Sequence, residues 1–281
     1  MSTLKIGDIA VTHIDGGRFR LDGGAMFGVV PRPVWEPLCP TDDRNRIPMA
    51  CNCLLLRSAG EYLLLETGCG NRFSKKERDI FAVGSGPGLI DNLRAAGVES
   101  DEISHVVLTH LHFDHAAGCL RAEEDGSLLP AFANAVYWVQ RREFEDAVSG
   151  RSIMRTSYAA ADLQHLVASG RVRFLDGDSD ITAGVRTCVT GGHTAAHQAV
   201  VVEDAGQTLL YPGDLIPTRH HLSPFWIMAY DMYPHDTLGE KNRWIDEACS
   251  GGWIVAWDHD PDSSWNTLRR DGKRVVAEAA S

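Results

Sequence analysis

At 281 residues, with 44% apolar and 8% aromatic side chains and no low-complexity tract, the chain can bury a substantial core and is expected to be ordered. Its formal net charge of −11 opposes attraction to phosphate backbones and anionic lipid, so nucleic acid is excluded as an expected partner. No stretch approaches the ~20 apolar residues of a membrane helix, and the start MSTLKIGDIAVTHID lacks the basic-then-apolar pattern of a leader, so a cytoplasmic protein without a membrane segment is expected.

LKIGDIAVTHI reads as a first strand, and residues 21–48, with five prolines, read as an irregular excursion without long helix or central strand. ACNCLLLRSAGEYLLLETG is two apolar runs joined by a turn, a hairpin over about 50–66. After a loop comes the amphipathic helix GLIDNLRAAG, with Ile90, Leu93 and Ala96 at helical spacing and Gly97 as its stop. ISHVVL is a buried strand, and AVYWV is another that leads into the helix QRREFEDAV. The second half offers the helix YAAADLQHLVASG and the strands RVRFL, VRTCVTG, QAVVVED and QTLLYPG. It ends with the helix DTLGEKNRWIDEA, where Thr237 and Glu240 form the pattern of a capping box, and WIVAW as a last buried strand. No repeat and no linker divides the chain, so a single domain of two β-then-α halves, about 1–150 and 151–281, is expected.

The seven cysteines are odd in number and contain no Cys-x-x-Cys pair, which favours reduced, buried thiols. Cys51 and Cys53, two apart on a strand, share one face and read as core.

Chemistry concentrates in LTHLHFDHAAG, directly after the apolar run ISHVVL. Three imidazoles and a carboxylate crowded at a strand end need partners for every buried polar atom, and a divalent metal meets that need. His110 and His112, two apart on extended backbone, point the same way toward one ion, while Asp114 and His115 reach a second where the chain turns into helix. Further donors follow other apolar strands: His193 in VTGGHTAAHQ, Asp214 in LLYPGD and His259 in IVAWDH. His197 reads as support for the site, His105 and His165 as core or surface groups, and His13, His220 and His235 show no partner pattern.

With these motifs, from LLLETGCG through AWDHDP, the sequence resembles the metallo-β-lactamase-fold hydrolases, whose signature is His-x-His-x-Asp-His, then a lone His, an Asp and a final His. The resemblance implies a mixed α/β fold, the αβ/βα four-layer sandwich with two mixed sheets and helices on the outer faces. It implies that His110, His112 and His193 hold one ion, that Asp114, His115 and His259 hold the other, and that Asp214 bridges them. Zinc is the default for both ions, with iron, manganese or cobalt as alternatives. DGGAMFGVVP, GCGNRFSKKE, HLSPFWIMAYDMYP and DHDP are similar to the lactonase-like subgroup, which includes quorum-quenching and organophosphate-degrading enzymes. The chain departs from the family at Glu66, where Asp is usual, at HTAAH in place of His-Thr-Pro-Gly-His, and after Asp214, where acyl-homoserine lactonases carry a Tyr and this chain has LIPT.

The expected activity is therefore dinuclear metal-dependent hydrolysis of a lactone or related carboxylic ester, by attack of a water whose pKa two shared ions lower toward ~7. Asp114 is the candidate for proton transfer to the leaving group as well as a ligand. A phosphotriester, phosphodiester or β-lactam substrate on the same metals is the alternative. Iron dioxygenases of this fold, which use fewer ligands, are disfavoured by His115 and His259, and a non-catalytic binding protein by the complete ligand set. Met26, Phe27, Trp35, Phe225, Trp226, Met228 and Tyr230 are candidates for an apolar pocket that accepts an acyl or aryl group, with Tyr230 or His221 at the leaving group. The expected partner is this small-molecule substrate, with a homodimer left open.

Overall fold

A computed structural model of the chain describes residues 2–280. Its first part runs β1 (Thr3–Ile6), β2 (Ile9–Asp22), α1 (Gly23–Phe27), α2 (Arg32–Trp35), β3 (Arg46–Ser58), β4 (Glu61–Leu65), α3 (Lys75–Phe81) and α4 (Leu89–Ala95). It continues with β5 (Ile103–Val107), α5 (Phe113–Ala116), β6 (Leu120–Ala122), β7 (Leu128–Pro130), β8 (Val136–Gln140), α6 (Arg141–Val148), α7 (Ala160–Ala168) and β9 (Val172–Leu175). The second part runs β10 (Ser179–Thr182), β11 (Val185–Val189), β12 (Gln198–Asp204), β13 (Gln207–Tyr211), α8 (Pro234–Gly251), β14 (Ile254–Ala256), β15 (Trp265–Asp271) and β16 (Arg274–Ala279).

Two seven-stranded sheets result, ordered β1-β2-β3-β4-β5-β8-β9 and β10 through β16 in sequence, with β6 and β7 as a separate hairpin. Both sheets are mixed: β4, β5, β8 and β9 pair in parallel, and so do β13 and β14. The passage between sheets falls at residues 176–178, later than a halving near residue 150.

Strand alternation builds the layers. Leu54 and Leu56 on β3, Val200 and Val202 on β12, and Leu209 and Tyr211 on β13 meet in one cluster between the sheets. Their neighbours face outward: Cys53 and Leu55 pack with Leu93 of α4 and Leu163 and Leu166 of α7, and Val201 and Leu210 pack with Trp244 and Ile245 of α8. Helices therefore cover both outer faces, the αβ/βα sandwich expected. The cysteines are all free thiols, and Cys51 and Cys53 are buried core residues.

Several elements differ from their expected form. The first strand is two, β1 and β2, folded at Gly7–Asp8 with Gly7 in the left-handed region that tight hairpin turns favour. The excursion after Leu21 holds two short helices, and strand β3 already begins at Arg46, so Pro48 lies inside it. Proline is tolerated there because β4 pairs with β3 only from Leu54 onward, leaving the far edge beside Pro48 without a strand. Helix α8 starts at Pro234, a residue suited to a first helical position, and Thr237 sits inside the first turn, so no capping box forms. WIVAW is not the last strand: the β15–β16 hairpin follows it and completes the second sheet, and β10 and the β6–β7 hairpin are also additional. Among the described residues no helix is long and apolar enough to cross a membrane.

Candidate metal centre and cavity

The donors emerge from strand ends at one rim of the sandwich. His110 and His112 follow β5, and Asp114 and His115 lie in the single turn of α5. His193 sits between β11 and β12, Asp214 in a 3-10 turn directly after β13, and His259 after β14. Gly213 makes the Asp214 turn feasible: it has φ of 55°, and a Cβ there would lie 2.8 Å from His197 Nε2 and 2.9 Å from Thr109 Cγ2.

Two groups form around the Asp214 carboxylate. On one side His112 Nδ1 is 3.0 Å from both His110 Nε2 and His193 Nε2, and Asp214 Oδ2 is 3.1 Å from His193 Nε2 and 3.8 Å from His110 Nε2. On the other, Asp214 Oδ1 is 3.0 Å from His259 Nε2 and 3.5 Å from His115 Nε2, and these two nitrogens are 3.2 Å apart. Asp114 flanks this second group, 3.5 Å from His259 Nε2 and 3.8 Å from His115 Nε2. All seven side chains expected from the sequence are buried and brought together.

Several donor rings are braced on the face turned away from the cluster. His193 Nδ1 is 3.0 Å from Asp231 Oδ1, His259 Nδ1 is 2.7 Å from the Ala50 carbonyl and His110 Nδ1 is 3.1 Å from Thr109 Oγ1. Such partners set ring orientation and tautomer. Glu66, in left-handed backbone with φ of 64°, accepts from Thr109 N at 2.7 Å while its other oxygen lies 3.4 Å from His115 Nδ1. The longer carboxylate thus buttresses the histidine loop where the family uses Asp. Glu143 of α6 accepts from Leu111 N and from Thr194 Oγ1, at 3.1 and 2.6 Å, and so ties the His110–His115 loop to the His193 loop.

Burial holds His110 and His112 well below the ordinary imidazole pKa, and their imidazole neighbours add to the effect, so both rings are neutral with lone pairs to offer. For His115, His193 and His259 burial acts the same way but nearby carboxylates outweigh it and raise the pKa. Burial would raise Asp214, yet His193, His259 and His115 hold its carboxyl well below the usual range. Imidazole nitrogens facing one another at 3.0–3.2 Å, with a shared carboxylate beside them, make a poor hydrogen-bond network and a good ligand set. Asp214 Oδ1 has no hydrogen-bond donor, as ligands awaiting cations would show. His110, His112, His193 and Asp214 form one group of atoms within mutual metal-binding reach; His115, Asp214, His259 and Asp258 form the other. The residues fit two divalent ions.

The donors floor a cavity of about 590 Å³, whose wall includes His112, Asp114, His193, Asp214 and His259. Met26, Met228 and Tyr230 line that cavity. Phe27, Trp35 and Trp226 do not: they pack together behind it, with Phe27 stacked on Trp35 at 5.1 Å between ring centres and edge-on to Trp226 at 5.6 Å. His221 lies flat against Phe27 at 4.9 Å and binds Thr218 Oγ1 and the Met26 carbonyl, so it anchors that packing and is away from any leaving group. Burial pushes its pKa down to about 3. Phe225 is 72% exposed and touches neither core nor cavity. The segment carrying these residues is pinned by Lys241 of α8, a buried amine that donates to the Ser223 and Trp226 carbonyls and whose pKa burial lowers to about 7.

Among the other histidines, His197 is buried beside the site, bonded to Thr190 Oγ1 at 2.7 Å, with its ring centre 5.3 Å from that of His110. His105 accepts from Trp138 Nε1, and His165 bonds the Leu128 carbonyl. Neither joins the cluster.

Sequence reasoning missed the opposite wall. Helix α3 places Lys76, Glu77, Ile80 and Phe81 along the cavity, beside Phe113 and Met154. The signal was present: Ser74 and Glu77 in SKKE form a complete capping box at its start. Asp258 was also missed, since only the His of AWDH fits the motif, and yet its carboxylate is 1% exposed, with burial raising its pKa well above the ordinary value.

Comparisons with known proteins agree with this geometry. Over 124 residues the chain is 32% identical to an N-acyl homoserine lactonase of Bacillus thuringiensis, an alignment covering 43% of this chain and 42% of the relative, so the match spans less than half of that protein's length. It is 27% identical over 192 residues to the N-acyl homoserine lactonase AttM of Rhizobium johnstonii, covering 65% of this chain and 67% of that one. A crystal structure of a probable metal-dependent hydrolase from Staphylococcus aureus superposes with a TM-score of 0.90 at 30% identity over 99% of both chains. AidC, a dizinc quorum-quenching lactonase, shares the fold with a TM-score of 0.80 at 16% identity, covering 100% of this chain and 97% of that one. Residues 46–276, which include every donor at the rim, match the metallo-beta-lactamase superfamily, and the chain belongs to it.

Proposed function

We propose that this protein is a dinuclear metal-dependent hydrolase that opens a lactone, with N-acyl homoserine lactones foremost, or cleaves a related carboxylic ester. The observation that carries the reading is the Asp214 carboxylate, whose two oxygens face two separate sets of imidazoles. His110, His112 and His193 would hold one ion and His115, His259 and Asp114 the other, with Asp214 shared. Zinc is the first choice for both. Bound there, two divalent cations supply Lewis acidity and a water of lowered pKa.

The chain's own residues do the rest. Asp114 stands on the cavity wall among the donors, where its carboxylate can take a proton and return it to the departing oxygen. Tyr230, on the same wall, offers a hydroxyl to the leaving group in a chain that lacks the Tyr after Asp214. Met26, Met228, Ile80 and Phe81 give the cavity an apolar side suited to an acyl chain. The relatives named as lactonases support the substrate class.

The test is metal-reconstituted enzyme against lactones, aryl esters, phosphotriesters and β-lactams. Turnover of lactones or esters above the others is expected. Activity confined to phosphotriesters or β-lactams would contradict the reading.

A further inference from the structure

Asp258 has no role in the seven-donor set, yet its carboxylate is buried at the same site. Its side chain is 1% exposed, and neither Oδ1 nor Oδ2 has a hydrogen-bond donor. The His259 and His115 rings favour its charge and the Asp214 carboxylate opposes it, but His259 Nε2, at 3.8 Å from Oδ2, is too far for a hydrogen bond. That ring is already committed through Nδ1 to the Ala50 carbonyl at 2.7 Å. A carboxylate buried so is costly to ionise unless a cation neutralises it.

Its position is also fixed by design of the backbone. Asn52 of β3 donates its main-chain N–H to the Asp258 carbonyl at 2.7 Å, and its side-chain amide donates to the Trp257 and Asp260 carbonyls at 2.9 and 2.8 Å. The 257–260 turn is therefore clamped from both ends, and one Asp258 oxygen lies within 4.8 Å of donor atoms of His115, Asp214 and His259.

We propose that Asp258 is an additional ligand at the second metal position, which makes that position richer in carboxylate than the first and selects a harder cation for it. This rests on the dinuclear reading above. The first position has three imidazoles and one carboxylate from Asp214. The second has two imidazoles with Asp114, Asp214 and Asp258, a set that suits manganese or ferrous iron better than an imidazole-rich set does.

The experiment titrates metal-free protein with Mn(II), reading free Mn(II) by electron paramagnetic resonance and bound metal by mass spectrometry, for the wild-type chain and for Asp258→Asn. Asparagine keeps the shape and supplies an amide donor, so a carboxyl that merely hydrogen-bonds to Asp214 would be replaced without loss. Circular dichroism of both metal-free proteins checks folding, and Asp258→Ser is measured in parallel as a second variant. Wild type is expected to bind two Mn(II) per chain, and the variants to bind the second about 10-fold or more weakly while retaining the first. Two equally tight Mn(II) in the variants would overturn the role of Asp258. A wild-type chain that binds no metal would overturn the dinuclear reading itself, a distinct outcome.

Discussion

The two walls of the cavity are built on opposite terms. On the donor side every candidate ligand is 1–6% exposed, the set lies at or just after strand ends, and the rings of His110, His193 and His259 each have a second contact that fixes their direction. On the facing side, helix α3 has no buried residue, Ile80 is 40% exposed, and the helix leans on the site through Phe81, whose ring lies 4.6 Å from that of Phe113. Reacting groups need fixed geometry, whereas a wall that admits different acyl groups needs only apolar surface and room. On the proposed hydrolase reading, the rigid side decides whether bonds break and the lightly packed side decides which substrate is accepted.

Substitutions on the two sides should separate these roles. The largest effect is expected for His112→Ala, which removes the nitrogen nearest both His110 and His193: turnover should fall by about 10³-fold or more with the circular dichroism of the chain unchanged. Asp231→Ala leaves all ligands in place but frees the His193 ring, and metal affinity by competition with a chelator should drop about 10- to 100-fold. Phe81→Ala acts on the other wall. It should raise KM for long-chain acyl substrates by about 10-fold and leave kcat on short ones alone; an equal loss on both would erase the division of labour.

The smallest effect concerns stability. His221, behind the cavity wall, has a folded pKa of about 3, below its ordinary value of 6.5, so the unfolded chain takes up a proton before the folded one does. Stability contributed by the neutral ring is present above pH ~6.5 and is lost as pH falls toward ~3, by at most about 1.4 kcal/mol per pH unit. Chemical denaturation of His221→Phe across that window should show a shallower slope than wild type, whatever its absolute stability.

The same contrast explains what was legible in the sequence. Ligands confined to strand ends leave short, dense signatures, so His110 through His115, His193, Asp214 and His259 could be placed before any coordinates, and apolar alternation gave the sheets. The aromatic residues could not be sorted, because Phe27, Trp35 and Trp226 on irregular segments look alike whether they line a cavity or stack behind it. Pro48 shows a related limit: whether a strand tolerates proline depends on which edge the neighbouring strand occupies, a fact of register that local composition does not contain. Asp258 is legible only in three dimensions, through the absence of any donor around it.

The central claim is that one carboxylate joins two metal positions. It is tested most directly by dialysing metal-free wild-type and Asp214→Ala proteins against a buffered low concentration of Zn(II) and counting ions per chain by mass spectrometry. The account predicts two in the wild type and at most one in Asp214→Ala. Two ions retained by the variant, or none bound by the wild type, would contradict it.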